Sequence, residues 1–195
     1  MTQLFQKKYR IKSSRLKGWD YSQDGYYFVT ICTKDKEESF GKIRNKEIFL
    51  SPIGEIVAEE WGKTVEIRKN IKLDFWVVMP NHLHGILIIN NWSESEFMRN
   101  KNVKTHCNAS LRESINYKNK FGPQSNNLSS IIRGFKGAAT KRIHNAGFID
   151  FAWQPRFHDY IIQNDKEHGN IQDYILTNPA NWEKDEENLK CKKCY

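Results

Sequence analysis

The sequence predicts an α+β domain, a mostly antiparallel sheet with helices packed on it. Three observations carry that expectation. Strand-length runs rich in β-branched, apolar and aromatic residues recur along the chain, GYYFVTICT at 25–33, FWVV at 75–78 and LHGILII at 83–89. Two other segments, 51–67 and 129–147, place their apolar residues at helical spacing. The order is β-β-α-β-β, an irregular stretch, then α-β-α, with no internal repeat.

Each element has a local reason. The first strand follows the turn signal Asp24-Gly25. FGKIRNKEIFL (40–50) reads as two short strands around a turn at Arg44–Lys46. The next helix begins with Ser51 as N-cap and Pro52 in its first position, and Ile53, Ile56, Val57 and Trp61 form its apolar face. Phe75–Val78 and Leu83–Ile89 are separated by Pro80-Asn81, which predicts a hairpin or closely linked strand pair. Residues 91–127 are rich in Asn, Ser and Lys without periodicity and read as a long loop or insertion with some local helix.

From Ser129 a helical stripe resumes through Ile132, Phe135, Ala139 and Ile143 and ends at Gly147. Arg133, Lys136 and Thr140 share a different face of that helix. Residues 152–163 are extended and lead to a final strand, and a last helix runs from about Asp165 to Asn178, where Pro179 stops it.

Composition narrows the class. A chain of 195 residues is of single-domain size and can close a hydrophobic core. Its 13% aromatic content does not suit disorder, although only 38% of residues are hydrophobic. No apolar run reaches membrane length, no secretory signal is visible at the start, and four scattered cysteines fit a reducing, cytoplasmic setting. The 31 basic residues against 23 acidic ones leave a net charge of +8, which makes a polyanion the natural partner. Residues 1–17 and 128–149 are basic and free of acid, whereas EKDEE at 183–187 is mainly acidic. The expected organisation is therefore one domain over 1–182, with a basic arm at 1–20 and a variable insertion at about 91–127. A charged tail, 183–195, follows.

The sharpest chemical feature is His82-Leu83-His84. In a strand, residues two apart point the same way, so both imidazoles face one side and Leu83 the other. With six histidines in the chain, such a pair also arises by chance; its place at the head of the most apolar strand gives it weight, because polar groups there need a partner. Two histidines leave a divalent site incomplete. Tyr174 and Asn178, four apart on the last helix, would complete it if that helix packs beside the histidines; otherwise they are a core aromatic and a helix end. Cys191-x-x-Cys194 stands without a second pair, and His168 is isolated. Trp153 and Phe157, beside Arg156 and His158, read either as core or as stacking surfaces for unpaired bases.

Together these residues form a recognisable pattern. VVMPNHLHGIL (77–87) resembles the metal-binding signature of the HUH single-tyrosine transposases. YRIKSSRLKGWDY (9–21) with GYYFVTICT, SSIIRGFKGAATKRI (129–143), WQPRFHDYII (153–162) and DYILTNP (173–179) are similar, in order, to blocks of the REP-associated tyrosine transposase group. The resemblance spans nearly the whole chain apart from about 91–127. It implies a ferredoxin-like (RRM-like) antiparallel sheet with the histidines on a central strand. It also implies Tyr174 as nucleophile, with Tyr160 as its main competitor, and His82, His84 and Asn178 as ligands of a divalent metal, Mg²⁺ or Mn²⁺.

The implied activity is cleavage and rejoining of single-stranded or hairpin DNA through a 5′-phosphotyrosine. Lys12, Arg15, Arg133, Lys136 and Arg156 would hold the DNA backbone, and the enzyme would act as monomer or homodimer. Nothing resembles a phosphate-binding Gly-rich loop, so no nucleotide cofactor is expected. Two other readings stay open: a catalytically inactive nucleic-acid-binding module of the same fold, and a His-x-His metallohydrolase with an acidic or further histidine ligand and no covalent adduct.

Overall fold

A computed structural model describes residues 16, 18–91 and 127–189 of the chain. The candidate DNA contacts Lys12 and Arg15, the cysteines Cys191 and Cys194, and nearly all of the 91–127 insertion lie outside the described residues. Among those described, no helix is long and apolar enough to cross a membrane.

The strands are β1 (Gly25–Cys32), β2 (Gly41–Arg44), β3 (Glu47–Leu50), β4 (Ile71–Val78), β5 (His82–Ile89) and β6 (His158–Ile162). The helices are α1 (Pro52–Ile67), α2 (Leu128–Asn145) and α3 (Asp165–Thr177). Four strands form one sheet in the order β4-β5-β1-β6, and every neighbouring pair is antiparallel. With α1 and α2 as crossovers, this is the ferredoxin-like arrangement that the motifs implied. β2 and β3 form a separate two-stranded ribbon, whose turn residues Asn45 and Lys46 have φ of 51° and 67°, the left-handed pair of a tight hairpin.

The helices start where their caps dictate. Ser51 Oγ accepts from the Gly54 amide, and Asn127 forms a reciprocal capping box with Ser130. α3 starts at Asn164, whose side chain accepts from the Glu167 amide at 2.9 Å. β4 begins at Ile71, ahead of the Phe75–Val78 run read from sequence, because a register shift between Leu73 and Trp76 breaks the alternation that would have marked it.

The sheet has two different faces. Tyr27, Val29 and Ile31 of β1 and Leu83, Leu87 and Ile89 of β5 join the main core with Val57 and Trp61 of α1 and Ile132 and Phe135 of α2. The intervening residues Tyr26, Phe28 and Ile86 form a second cluster with Ile162 and with Ile171 and Ile175 of α3. α1 and α2 therefore cover one face and α3 the other. Arg142 ties the first two helices together, its guanidinium 2.7 Å from the buried Glu60 and 2.6 Å from Glu59. Part of the basic stretch 128–149 is thus neutralised within the fold.

Packing decides one reading that the sequence left open, for Trp153, and changes another, for the acidic segment from 183. Trp153, considered as a base-stacking surface, lies among Phe40, Phe135 and Phe151, and its indole N–H donates to Thr140 Oγ1 at 3.1 Å. The expected tail from 183 starts inside a packed 3₁₀ turn, Pro179–Lys184, and Asp185 and Asn188 beyond it are buried. Trp182 explains this: buried itself, it anchors the segment that the acidic run had marked as solvated.

Gly85 is the point where Trp61 of α1 and Trp76 of β4 leave no room for a side chain. A Cβ there would lie 3.0 Å from Trp61 Cζ2 and 3.2 Å from Trp76 Cβ, and Trp61 is wholly buried against Phe135. Gly85→Ala is expected to destabilise the protein by about 1–3 kcal/mol. Urea denaturation of the two proteins checks this, and an unchanged midpoint would show that Trp61 can move aside.

Candidate active site

The pleat of β5 sends His82 and His84 to the α3 side of the sheet, opposite Cys32 and Thr30 of β1. Both side chains are buried, at 0% and 3% exposure, with ring centroids 4.2 Å apart. His82 Nδ1 lies 2.8 Å from Asn81 Oδ1. A carboxamide oxygen only accepts, so Nδ1 carries the proton and Nε2 keeps its lone pair. That Nε2 is buried without a hydrogen-bond partner. His84 Nδ1 lies 2.9 Å from Thr30 Oγ1, and the His84 ring stacks on Phe28 with centroids 5.2 Å apart.

The last helix packs beside these rings, which is the condition the spacing argument had set. Tyr174 Oη is 3.1 Å from His84 Nε2. Asn178, one turn on, is 2% exposed and starts the 3₁₀ turn. Its amide nitrogen donates to Asp185 Oδ2 at 2.8 Å, while its Oδ1 is buried and without a hydrogen-bond partner. Asp185 Oδ2 also accepts from Tyr174 Oη at 3.3 Å. His82, His84, Tyr174 and Asn178 are thus gathered at one place, and Asp185 joins them. Sequence reasoning missed Asp185 because it lies in an acidic run; the apolar Trp182 three residues before it was the available signal that the run packs.

Burial sets the electrostatics. It pushes the His82 pKa down to about 3, helped by the nearby charge of Lys36, and lowers that of His84, helped by His82. Both imidazoles are therefore neutral near pH 7, the form in which they bind metals. Burial, and then the Asp185 carboxylate, raise the Tyr174 phenol well above its ordinary range. Cys32, whose thiol is pushed up to about 12 by burial, is neither a nucleophile nor a thiolate ligand in this state.

A divalent cation fits the donor set. His82, His84 and Asp185 bring one ligand atom each to within 4.8 Å of one another, the candidate metal group among the described residues. The two orphaned acceptors, His82 Nε2 and Asn178 Oδ1, border the same carboxylate and lack any donor from the protein. Nitrogen and oxygen ligands of this kind suit several divalent ions.

The other candidate residues are placed elsewhere. Tyr160, opposite Phe28 on β6, is 47% exposed and hydrogen-bonds Glu167, so it is not the tyrosine at the histidines. Arg133 is exposed on α2, on the far face of the sheet from the His pair. Lys136 Nζ donates to the carbonyls of Gln154 at 2.8 Å and Arg156 at 2.5 Å, 5.6 Å from the centre of the Trp153 ring. Burial lowers its pKa to about 8. It holds the loop that carries Arg156, which is exposed there with a left-handed φ of 69°. His168, isolated in sequence, pairs with Asp74 at 2.6 Å and ties α3 to β4.

Unfolding frees His82 to titrate near its usual 6.5, whereas in the fold it resists protonation down to about 3. Between those values the unfolded chain binds the extra proton. The contribution to stability is therefore complete above pH 6.5 and is lost as the pH falls toward 3. Its slope approaches about 1.4 kcal/mol per pH unit. Urea midpoints of the metal-free protein should fall more steeply with acid than those of His82→Gln; equal slopes would mean that His82 is not held neutral.

No family model matches the chain. An uncharacterized protein of Haemophilus influenzae is 34% identical over 175 residues, covering 90% of this chain and 91% of that one. Among solved structures, a REP-associated tyrosine transposase bound to a REP hairpin superposes with a TM-score of 0.52 at 19% identity, covering 90% of this chain and 74% of that one. The chain belongs to one family with the Haemophilus influenzae protein, and its fold is that of the REP-associated tyrosine transposase.

Proposed function

We propose that this protein is a transposase-type enzyme that cleaves and rejoins single-stranded or hairpin DNA through a tyrosine-linked intermediate. The observation that carries the reading is Tyr174 Oη at 3.1 Å from His84 Nε2, beside a second buried histidine with a free lone pair. His82, His84 and Asn178 would hold Mg²⁺ or Mn²⁺. When bound, such an ion polarises a phosphodiester and offsets the charge that develops on it.

Tyr174 supplies the nucleophile. Its Oη forms a bond to phosphorus as the bond from phosphorus to the 3′ oxygen breaks, and the phenolic proton ends on that oxygen. The products are a 5′-phosphotyrosine and a free 3′-OH. One phosphodiester is exchanged for another, so a 3′-OH can reverse the step without ATP. Phe28 packs edge-on to Tyr174 with centroids 6.1 Å apart, which limits the ring's freedom at the reacting position. Arg156 on its exposed loop and Lys12 and Arg15 of the basic arm would track the DNA backbone, a sequence-independent hold. Lys136 serves that surface indirectly, by fixing the loop.

A second reading draws on Asp185. A His-x-His metallohydrolase needs a further acidic or histidine ligand, and this carboxylate lies within reach of both imidazoles. The two readings differ in whether DNA becomes attached to protein.

With hairpin DNA carrying a single-stranded flank and Mn²⁺, denaturing gels should show a protein–DNA adduct. Tyr174→Phe is expected to lose the adduct while binding DNA as before, and Tyr160→Phe to keep it. His82→Ala should lose cleavage. Cleavage without any adduct would favour the hydrolase, and an adduct that depends on Tyr160 would move the nucleophile.

A further inference from the structure

The hydrogen bonds of the buried Asp185 carboxylate define what it does at the site. Oδ1 accepts from the Glu187 amide at 2.7 Å, and Oδ2 accepts from Asn178 Nδ2 at 2.8 Å and Tyr174 Oη at 3.3 Å. A carboxylate oxygen has two lone-pair directions, so protein donors already fill Oδ2. Only the nitrogen end of the Asn178 carboxamide can face it, because the oxygen end would set acceptor against acceptor. The contact fixes the rotation of that amide and leaves Asn178 Oδ1 as a buried acceptor with no donor. Buried acceptors are costly in that state unless a donor or a cation takes them.

We propose that Asp185 is a positioning residue rather than a metal ligand. By accepting from Asn178 Nδ2 it turns the Asn178 carbonyl oxygen into the third ligand beside His82 and His84, and by accepting from Tyr174 Oη it holds the nucleophile at the same centre. This rests on the reading of the two histidines as metal ligands. The segment that carries Asp185 is itself fixed: Asn81, which orients His82, also donates to the Glu187 carbonyl at 2.8 Å, and Glu187 pairs with Lys36 at 2.6 Å. Asn81, just before β5, and Asp185, on the segment that Asn81 holds, are thus two outer groups that each set the orientation of one ligand, an arrangement that tunes metal affinity.

The test exchanges the two side chains and measures Mn²⁺ binding by the full chain without DNA, by calorimetry, with thermal melts as the folding control. In Asp185→Asn the oxygen stays on the Glu187 amide and the NH2 faces Asn178, whose oxygen then turns to accept from it and away from the ion, so affinity should fall about tenfold or more. Adding Asn178→Asp should restore it, because a carboxylate at 178 accepts from the amide at 185 and keeps an oxygen for the ion. If Asp185→Asn binds Mn²⁺ like the wild type, the proposal fails. If the exchanged pair binds as weakly as the single variant, Asp185 is itself a ligand and the proposal also fails. Should Asp185→Asn not fold, the exchanged pair, which keeps the hydrogen bond and the charge, decides alone against the wild type. Undiminished Mn²⁺ binding by His82→Ala would instead sink the metal-site reading, so the two failures are distinct.

Discussion

β5 is buried on both faces, and its pleat divides labour between them. Leu83, Leu87 and Ile89 go to α1 and α2, while His82, His84 and Ile86 go to α3. The same backbone that is locked by the apolar core thereby locks two imidazoles at a fixed spacing, with no loop whose motion could separate them. A one-residue slip in register would put the histidines into the main core under α1 and α2 and the leucines against α3, so the core's own hydrophobic pattern enforces the site. Gly85, between the second histidine and the second cluster, is the residue whose lack of a side chain lets Trp61 approach this strand.

Around that fixed pair, the second face is built from polar groups that could not otherwise be buried. Asn81, Thr30, Asn178 and Asp185 each hydrogen-bond another member of the site, and each is at least nine-tenths buried. A network of this kind is stable only when its members are satisfied, and two buried acceptors, His82 Nε2 and Asn178 Oδ1, are left over in it. Burial keeps both histidines neutral and Tyr174 protonated in the metal-free state. The charge of the chain itself lies elsewhere. Arg142 and Lys136 are committed to cross-linking the helices and the 153–157 loop, which leaves Arg156 among the exposed cations of that region.

Much of the fold was legible because its signals are local. Ser51-Pro52 begins α1, alternation and β-branched residues mark β1 and β5, and Pro179 ends α3 within a residue of where it was expected. β4 was read short because its register shift interrupts the alternation. At the site, His82 and His84 were visible through strand period, and Tyr174 with Asn178 through helical period. Asp185 was not, since its run of acids has the composition of a solvated tail and only Trp182, just before it, signals packing. The surroundings of Lys136 and Trp153 were not legible either, because a lysine or a tryptophan looks the same in sequence whether it meets solvent, a backbone carbonyl or other aromatic rings.

The sequence by itself determined the elements, the face of β5 on which the histidines lie, and the pairing of Tyr174 with Asn178 on one side of a helix. These follow from periods of two and of 3.6 residues, which the chain carries locally. Only the tertiary structure decided that α3 docks on the histidine face, that the segment after Pro179 folds back to bring Asp185 to Tyr174, and that Arg142 and Lys136 are taken up within the fold. Those outcomes depend on contacts between residues far apart in the chain, Tyr174 with His84 and Asn81 with Glu187, and no local period encodes them.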